Sequence, residues 1–213
     1  PDRDIRRLIA EGAVTLSEPP AENQVQPASL DLRLGRKATR VRASFLPGPD
    51  FSVTDKLQQL ALHEFDLANG AVLETGCVYI VPLLESLALP SDIAASANPK
   101  SSTGRLDVFT RVITDTESAF DQIPAGYAGP LYAEICPQTF PVLVRPGSLL
   151  TQTYMITNTG ISTVNFELLR YLDADLRFDG SMIDSGRNRC STRSWGGMRS
   201  IPSPARSSGT CKC

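Results

Sequence analysis

A cation, two adjacent hydroxyls, a glycine and an arginine lie close together in one short segment, Asn98 to Phe109 (NPKSSTGRLDVF). Lys100 and Arg105 can pair with phosphate oxygens. Ser101 and Ser102 can donate hydrogen bonds to them, and the glycine lets the backbone approach a ligand closely. Because Pro, Ser, Thr and Gly also make ordinary polar turns, the segment alone predicts either a phosphate-binding loop or a surface turn.

A second candidate is the carboxylate of Glu134, within LYAEIC. If this stretch is a strand, Tyr132, Glu134 and Cys136 share one face, and such a face is not obviously solvated. A carboxyl in that setting can both take and return a proton. The alternative is a surface glutamate on an exposed strand face.

Charge is unevenly distributed along the 213 residues. The net charge of −2 argues against a general nucleic-acid binder, and we expect no nucleic-acid partner. Residues 186–213 hold six basic residues and no acidic one, whereas residues 1–185 hold 15 basic and 23 acidic residues, a net charge of −8. The two parts therefore differ in composition and in the sign of their net charge.

The composition predicts one core domain with an appendage. We place the domain at residues 1–157 and an extension of undecided structure at 158–185. The basic stretch 186–213 is predicted to be disordered, because it lacks the apolar residues needed for a core. An RNA-binding tail, or sequence that is not native to the protein, are the alternatives for that stretch.

The N-terminus is charged and lacks the apolar core of a secretory signal, and no run is long enough to span a membrane. We therefore expect a cytoplasmic protein with no membrane partner. Cys77 and Cys136 lie in apolar strand-like runs and are expected to be buried free thiols. His63 is the only histidine and there is no C-x-x-C, so the usual zinc sites are not expected.

Hydrophobic periodicity predicts the elements that must position these groups. Residues Asp2 to Gly12 have Ile5, Leu8 and Ile9 at helical spacing and predict a short amphipathic helix. Residues Ala28 to Gly35 (ASLDLRLG) alternate between leucines and polar residues, which predicts a half-buried strand.

Later segments read as short strands with Gly and Pro punctuation, and residues 56–68 could be a short helix or irregular. Residues 130–136 and 140–144 are predicted to form a hairpin. Many short strands at regular spacing predict a mainly antiparallel sandwich or barrel. The further strands are predicted over 36–45, 71–74, 77–83, 106–114 and 149–156.

Four motifs occur in a fixed order: QPASLDLRLG (26–35), PKSSTGRLDVF (99–109), IPAGYAGPLYAEI (123–135) and VRPGSLLTQ (144–152). Together they resemble dCTP deaminase of the dUTPase-like superfamily, with the match closest to the long two-domain bacterial enzymes. The resemblance covers about residues 2–155.

This resemblance implies a mainly β fold, a distorted antiparallel β-barrel of the dUTPase-like type with a short N-terminal helix. It also implies a homotrimer in which each nucleotide site is built from more than one subunit. The implied reaction is the zinc-independent hydrolytic deamination of dCTP to dUTP and ammonia, with Mg²⁺ bound through the triphosphate.

Residue by residue, the resemblance assigns Lys100, Ser101 and Ser102 to the phosphates or the catalytic water. Lysine stands where the family has arginine, which keeps the charge and loses bidentate geometry. The resemblance makes Arg105 the arginine that orients the reacting centre, and Glu134 the catalytic carboxylate.

The resemblance also places Gln152 near the triphosphate. Residues 111–115 would line the base and sugar pocket, largely through backbone groups. The implied pocket residues are Val112, Thr114 and Tyr127.

Two other functions stay open. One is dUTP diphosphatase, alone or combined with deamination, which needs a carboxylate at the start of the base-binding hairpin. Here Ile123 is followed by Pro124, and the nearest acid, Asp121, stands in a different register. The other is a non-catalytic nucleotide-binding module that lacks its closing segment.

Overall fold

A computed structural model describes residues 2–115 and 117–157. The predicted extension (158–185) and basic tail (186–213) lie outside the described residues, and the boundary at 157 stays a prediction. The described residues form three helices and twelve strands. The helices are α1 (Asp2–Ala10), α2 (Val53–Leu60) and α3 (Ser101–Arg105). The strands are β1 (Val14–Leu16), β2 (Leu30–Arg33), β3 (Lys37–Val41), β4 (Ala61–Asp66), β5 (Ala71–Leu73), β6 (Val78–Ala88), β7 (Ile93–Pro99), β8 (Val108–Thr114), β9 (Gln122–Ile123), β10 (Ala128–Pro137), β11 (Val142–Val144) and β12 (Leu149–Thr157).

The N-terminal helix is confirmed. Its apolar stripe buries Ile5 and Leu8 in the core, and Asp2 and Asp4 lie in the first turn, where a carboxylate is favourable to the helix dipole. Gly12 follows in the left-handed conformation with φ 78°, which turns the chain into β1. Helix α1 therefore packs its apolar side against the core.

The strands of the described residues form three sheets, in which every pairing is antiparallel, and the buried residues form three clusters. The largest sheet has the order β4-β3-β6-β10-β8, with β1 also paired to β6. The second has the order β2-β12-β7-β9, and the third pairs β11 with β5. The prediction of a mainly antiparallel β fold with a short N-terminal helix is confirmed, and the barrel is distorted into these three sheets.

The second strand departs from its prediction. Instead of one solvated face, β2 is buried on both faces, with Asp31 1% and Arg33 4% exposed. The Arg33 guanidinium donates to Glu85 at 2.7 Å and to the carbonyls of Pro19 and Glu18 at 2.7 and 2.9 Å. The polar face is buried because the preceding segment folds over it and satisfies its charge.

The predicted hairpin of residues 130–136 and 140–144 is wrong. Both edges of β10 are occupied, one by β6 and the other by β8. Strand β11 therefore pairs with β5 in a separate sheet. The central position of β10 matters for function because it carries Glu134 into the interior.

The undecided stretch 56–68 contains the end of a helix and then a strand. Helix α2 begins with a capping box in which Ser52 accepts from the Asp55 backbone and Asp55 accepts from the Ser52 backbone. Strand β4 follows directly. Among residues 2–115 and 117–157, no helix is long and apolar enough to cross a membrane.

The two cysteines of the domain are free, as predicted, but only partly buried. Cys77 approaches the Glu74 carboxylate at 3.9 Å. Burial raises the pKa of the Cys136 thiol. The expected full burial of both thiols is therefore wrong.

Candidate active site

The cation-and-hydroxyl segment lies at the junction of two sheets. Strand β7 ends before Lys100, whose backbone amide donates to the Leu150 carbonyl of β12 at 3.0 Å. The chain then forms α3, where the Gly104 amide donates to the Lys100 carbonyl at 3.0 Å. The expected loop is thus a single helical turn, anchored to the protein by the buried side chain of Thr103.

The side chains that could bind an anion point away from the fold. Ser101, Ser102 and Arg105 are exposed, and none makes a side-chain hydrogen bond or ion pair within the described part of the chain. A Cβ added at Gly104 would meet no atom within 4 Å, so the fold itself does not require a glycine there. The turn is therefore presented outward and is open to a ligand or to another copy.

Lys100 has a partner inside the protein. Its ammonium group forms an ion pair with Asp31, whose side chain is 1% exposed. The other oxygen of that carboxylate, Oδ1, is buried with no partner among the described residues. The ion pair fixes the start of the turn, so Lys100 reaches outward less freely than Arg105.

Gln152 lies beside this ion pair. In the sheet register it stands between Asp31 of β2 and Asn98 of β7. Its amide group accepts from Ser29 Oγ at 3.3 Å and donates to the Tyr154 hydroxyl at 2.6 Å. All four sequence motifs contribute residues to this sheet, the third of them through Ile123 of β9.

The carboxylate of Glu134 lies in the largest sheet and is 1% exposed, so its interpretation as a surface glutamate is wrong. Arg111, its cross-strand neighbour on β8, donates to Glu134 Oε1 from Nε at 3.1 Å and from Nη2 at 2.5 Å. Glu134 Oε2 is buried and has no partner among the described residues. One oxygen is therefore held by Arg111, and the other has no hydrogen-bond partner among the described residues.

Sequence reasoning did not single out Arg111. It lies inside the predicted pocket range 111–115, but its pairing with Glu134 depends on the register of two strands that are distant in sequence. The available signal was a charged residue in the middle of a strand-like run, since a partly buried charge favours a partner. The register then identifies that partner as Glu134.

Two predicted pocket residues, Val112 and Thr114, point away from Glu134. Cross-strand partners share a face, and the partners of Val112 and Thr114 on β10 are Ala133 and Leu131, which alternate with Glu134. Val112 belongs to the hydrophobic core, and Thr114 Oγ1 is buried without a partner among the described residues. Any contact that Val112 makes with a nucleotide must therefore come from its backbone.

Tyr127 is mainly structural within this chain. Its hydroxyl donates to the Pro130 carbonyl at 2.7 Å and accepts from the Asp115 amide at 3.2 Å. Burial raises the pKa of Tyr127 to about 12. The ring packs in the same core cluster as Val112, and the hydroxyl joins the segment between β9 and β10 to the backbone of Asp115.

Asp121 joins strands β7 and β8 through hydrogen bonds. Its carboxylate accepts from the Val112 amide at 2.7 Å, and its carbonyl accepts from the Ala97 amide at 2.9 Å. Burial raises the pKa of this carboxyl. One oxygen of the Asp121 carboxylate is therefore used to join the segment before β9 to β8.

Metal ligands are sparse in the part of the chain that the structure describes. No group of three or more His, Cys, Asp or Glu side chains there is placed to hold a metal ion. His63 lies exposed on β4, beside Phe65.

The exposed turn and the buried carboxylate lie on different elements. Within residues 2–115 and 117–157, no hydrogen bond or ion pair joins Lys100, Ser101 or Arg105 to Glu134. The candidate residues therefore fall into two groups, a closed candidate half-site around Glu134 and an open candidate half-site around α3.

This arrangement of sheets, with its N-terminal helix, defines a distorted, mainly antiparallel β fold. The family model of the 2′-deoxycytidine 5′-triphosphate deaminase N-terminal domain matches residues 1–159. The chain therefore belongs to the dCTP deaminase family.

Its relatives agree with that placement. The dCTP deaminase of Actinobacillus succinogenes is 27% identical over 157 residues, which are 70% of this chain and 78% of the relative. The dUMP-forming dCTP deaminase of Methanosphaera stadtmanae is 28% identical over 163 residues, which are 76% of this chain and 80% of the relative.

A solved structure is also similar. The crystal structure of 2′-deoxycytidine 5′-triphosphate deaminase from Agrobacterium tumefaciens is 65% identical, with a TM-score of 0.71, over 72% of this chain and 47% of the Agrobacterium chain. This chain thus spans about half the length of that protein.

Proposed function

We propose that this chain deaminates dCTP to dUTP and ammonia, with Glu134 as the proton-transferring group. One observation carries the proposal: a fully buried carboxylate has one oxygen held by Arg111 and the other without a partner among the described residues. Buried polar atoms without partners are rare and commonly have a functional explanation. Membership of the dCTP deaminase family gives the reaction.

In this mechanism Glu134 accepts a proton from the water whose oxygen attacks C4 of the cytosine ring. The carboxyl group then gives that proton to the ring nitrogen N3, which leaves a hydroxyl group and the amine on C4. The carboxylate next takes the hydroxyl proton and passes it to the amine, so the carbonyl of dUTP forms as the bond between C4 and the amine nitrogen breaks and ammonia leaves. The free lone pairs of Oε2 make this oxygen the proton carrier.

The outward turn supplies the complementary half of the site. Ser101 and Arg105 would orient the water and stabilise the charge that develops in the transition state. Lys100, Ser102 and Gln152 would contact the triphosphate. Because the turn faces outward while Glu134 is interior, we propose that the two half-sites meet between copies of the chain in a homotrimer.

We propose that the reaction needs no zinc and that Glu134 deprotonates the water. The lack of a group of three or more metal-ligating side chains among the described residues supports this proposal. Mg²⁺ would be held by the triphosphate and would screen its charge. The trimer, the Mg²⁺ requirement and the cytoplasmic location stay predictions.

The test is to incubate the purified protein with Mg²⁺ and either dCTP or dUTP, and to measure ammonia and pyrophosphate separately. The proposal expects ammonia from dCTP and no pyrophosphate from dUTP. Ammonia together with pyrophosphate would indicate a combined activity. Pyrophosphate from dUTP without ammonia from dCTP would replace the proposal with a diphosphatase.

A further inference from the structure

We propose that Arg111 is the positioning residue for Glu134, and that it fixes the carboxylate so that only Oε2 faces the reacting base. This inference rests on the proposed deaminase function and deepens it, because it identifies the residue that sets the direction of proton transfer. Arg111 need not touch the nucleotide in this role.

The hydrogen-bond geometry is the first support. Two donors of Arg111, Nε at 3.1 Å and Nη2 at 2.5 Å, converge on the single oxygen Oε1 of Glu134. A side-by-side guanidinium pair would instead use both carboxylate oxygens. The convergent arrangement saturates Oε1 and leaves Oε2, which is buried, without a protein partner in the described residues.

The second support is the way the guanidinium itself is held. Its central carbon lies 4.6 Å from the ring centroid of Phe109 and 3.6 Å from that of Phe120, both within cation–π range. Nη2 also donates to Ser44 Oγ at 3.0 Å. The aromatic rings contact the guanidinium, and hydrogen bonds hold its edge, so the guanidinium has little freedom to rotate. The orientation of the Glu134 carboxylate is therefore fixed as well.

The backbone provides a third constraint. Arg111 and Glu134 are direct partners in the ladder between β8 and β10, and β10 is held on its other edge by β6. Because neither strand can slip without exposing core residues, the spacing of the two side chains is set by the sheet. The pair is thus built into the most constrained part of the fold.

A fixed carboxylate matters because proton transfer depends on alignment. A displacement of about 1 Å can cost on the order of 10²-fold in rate. The expected signature is a lower kcat with little change in KM, since Arg111 acts through Glu134 rather than on substrate binding.

The test measures ammonia release from dCTP by the full chain and by Arg111→Met, Arg111→Lys and Glu134→Gln, together with the double variant Arg111→Met/Glu134→Gln. We expect Arg111→Met to lose about 10- to 100-fold in kcat while KM changes less than about threefold. Arg111→Lys restores the charge without the two convergent bonds and should recover only part of the rate. In the Glu134→Gln background, removal of Arg111 should cause no further loss.

Arg40→Met is the matched control. Arg40 lies on β3 of the same sheet and pairs with the exposed Glu74 at 3.3 Å, away from Glu134. Its kcat and KM should stay within about twofold of the unsubstituted protein. Thermal unfolding of every variant identifies any that do not fold.

The outcomes separate the two proposals. If the unsubstituted protein releases no ammonia from dCTP, the proposed function fails and this inference fails with it. If it is active and Arg111→Met keeps full kcat, or loses rate by the same factor in the Glu134→Gln background, only the positioning role is overturned. Should Arg111→Met not fold, an unchanged kcat in Arg111→Lys would overturn the role, and a reduced kcat with unchanged KM would support it.

Discussion

Arg105 and Arg111 lie in neighbouring elements, α3 and β8, and their surroundings are opposite. Arg111 is held by Glu134, by Ser44 and by two aromatic rings. Arg105 is exposed and has no partner within residues 2–115 and 117–157. The charge of Arg111 is paired within the chain, whereas the charge of Arg105 on α3 is available to a ligand or to another copy of the chain.

The same difference appears across the domain. Two further ion pairs, Arg33 with Glu85 and Lys100 with Asp31, have at least one fully buried member. The exposed turn carries hydroxyls and a cation without such partners. Substitution of an interior charge should therefore lower stability, and at Glu134 it should also lower activity. Substitution in the turn should lower activity and leave stability unchanged.

The largest expected effect is on Glu134. Glu134→Gln keeps the shape and the bond from Arg111 but removes the proton carrier, so kcat for ammonia release should fall about 10²- to 10⁴-fold. Binding of dCTP, measured by calorimetry, should be retained. Glu64→Gln on the exposed strand β4 is the control and should keep full activity; retained deamination by Glu134→Gln would remove this residue from the mechanism.

Arg33 should affect stability instead. Arg33→Ala leaves the Glu85 carboxylate, which is 1% exposed, buried without its cation, and should lower the free energy of unfolding by about 3–5 kcal/mol. Arg36→Ala breaks only an exposed pair with Glu18 at 3.5 Å and should cost less than about 1 kcal/mol. Urea unfolding monitored by circular dichroism compares them, and equal effects would contradict the division between interior and surface charge.

Two glycines give a smaller, matched contrast. A Cβ at Gly129 would lie 2.7 Å from the hydroxyl of Tyr127, which two hydrogen bonds hold in place, so Gly129→Ala should cost about 1–3 kcal/mol of stability. Gly104→Ala meets no atom of the chain and should leave stability unchanged or slightly raised. A loss of activity in Gly104→Ala without a loss of stability would place the ligand against the turn. A destabilised Gly104→Ala would show that α3 is packed rather than open.

The smallest effect concerns pH. Burial raises the pKa of Asp121 in the folded protein, so the folded state holds its proton to higher pH than the unfolded chain, and stability falls as pH rises through that window above about 4. Asp121→Asn keeps the acceptor for Val112 and should flatten this slope, by less than about 1 kcal/mol after solvent screening.

Asp55 should make stability depend on pH in the opposite direction. The side-chain and backbone hydrogen bonds of Ser52 lower the pKa of Asp55, so its contribution is present above its unfolded pKa and is lost as pH falls. The substitution Asp55→Asn should therefore lower the free energy of unfolding more at pH 7 than at pH 3. Urea unfolding between pH 3 and 7 gives, for each variant, the change in the free energy of unfolding as a function of pH. Slopes of the same sign for the two variants would contradict the assignment of Asp121 as a carboxyl whose pKa is raised by burial.

Local patterns in the sequence predicted much of the fold. The helical spacing of Ile5 and Leu8 predicted α1, and the punctuated apolar runs predicted most strands. Pairings were harder because they depend on which edges remain free. The adjacency of residues 130–136 and 140–144 favoured a hairpin, yet β10 is central and has no free edge.

The site shows the same limit. The order of the motifs selected Glu134 and the turn at 101–105 as candidates, because each motif is continuous in sequence. The burial of Asp31 was missed, since alternation in β2 cannot reveal that another segment covers the polar face. The contact of Arg111 with Glu134 was missed because it depends on the strand register.

The central claim is that the closed half-site of one copy works with the open half-site of another. Glu134→Gln and Arg105→Ala should each be nearly inactive alone. After the two variants are mixed, unfolded and refolded together, about one site in four should carry an intact Glu134 and an intact Arg105, since subunits assort at random in a symmetric oligomer. Ammonia release from dCTP at about a quarter of the unsubstituted rate is the predicted result; a mixture of well-folded, co-assembled variants that stays as inactive as its components would contradict the claim.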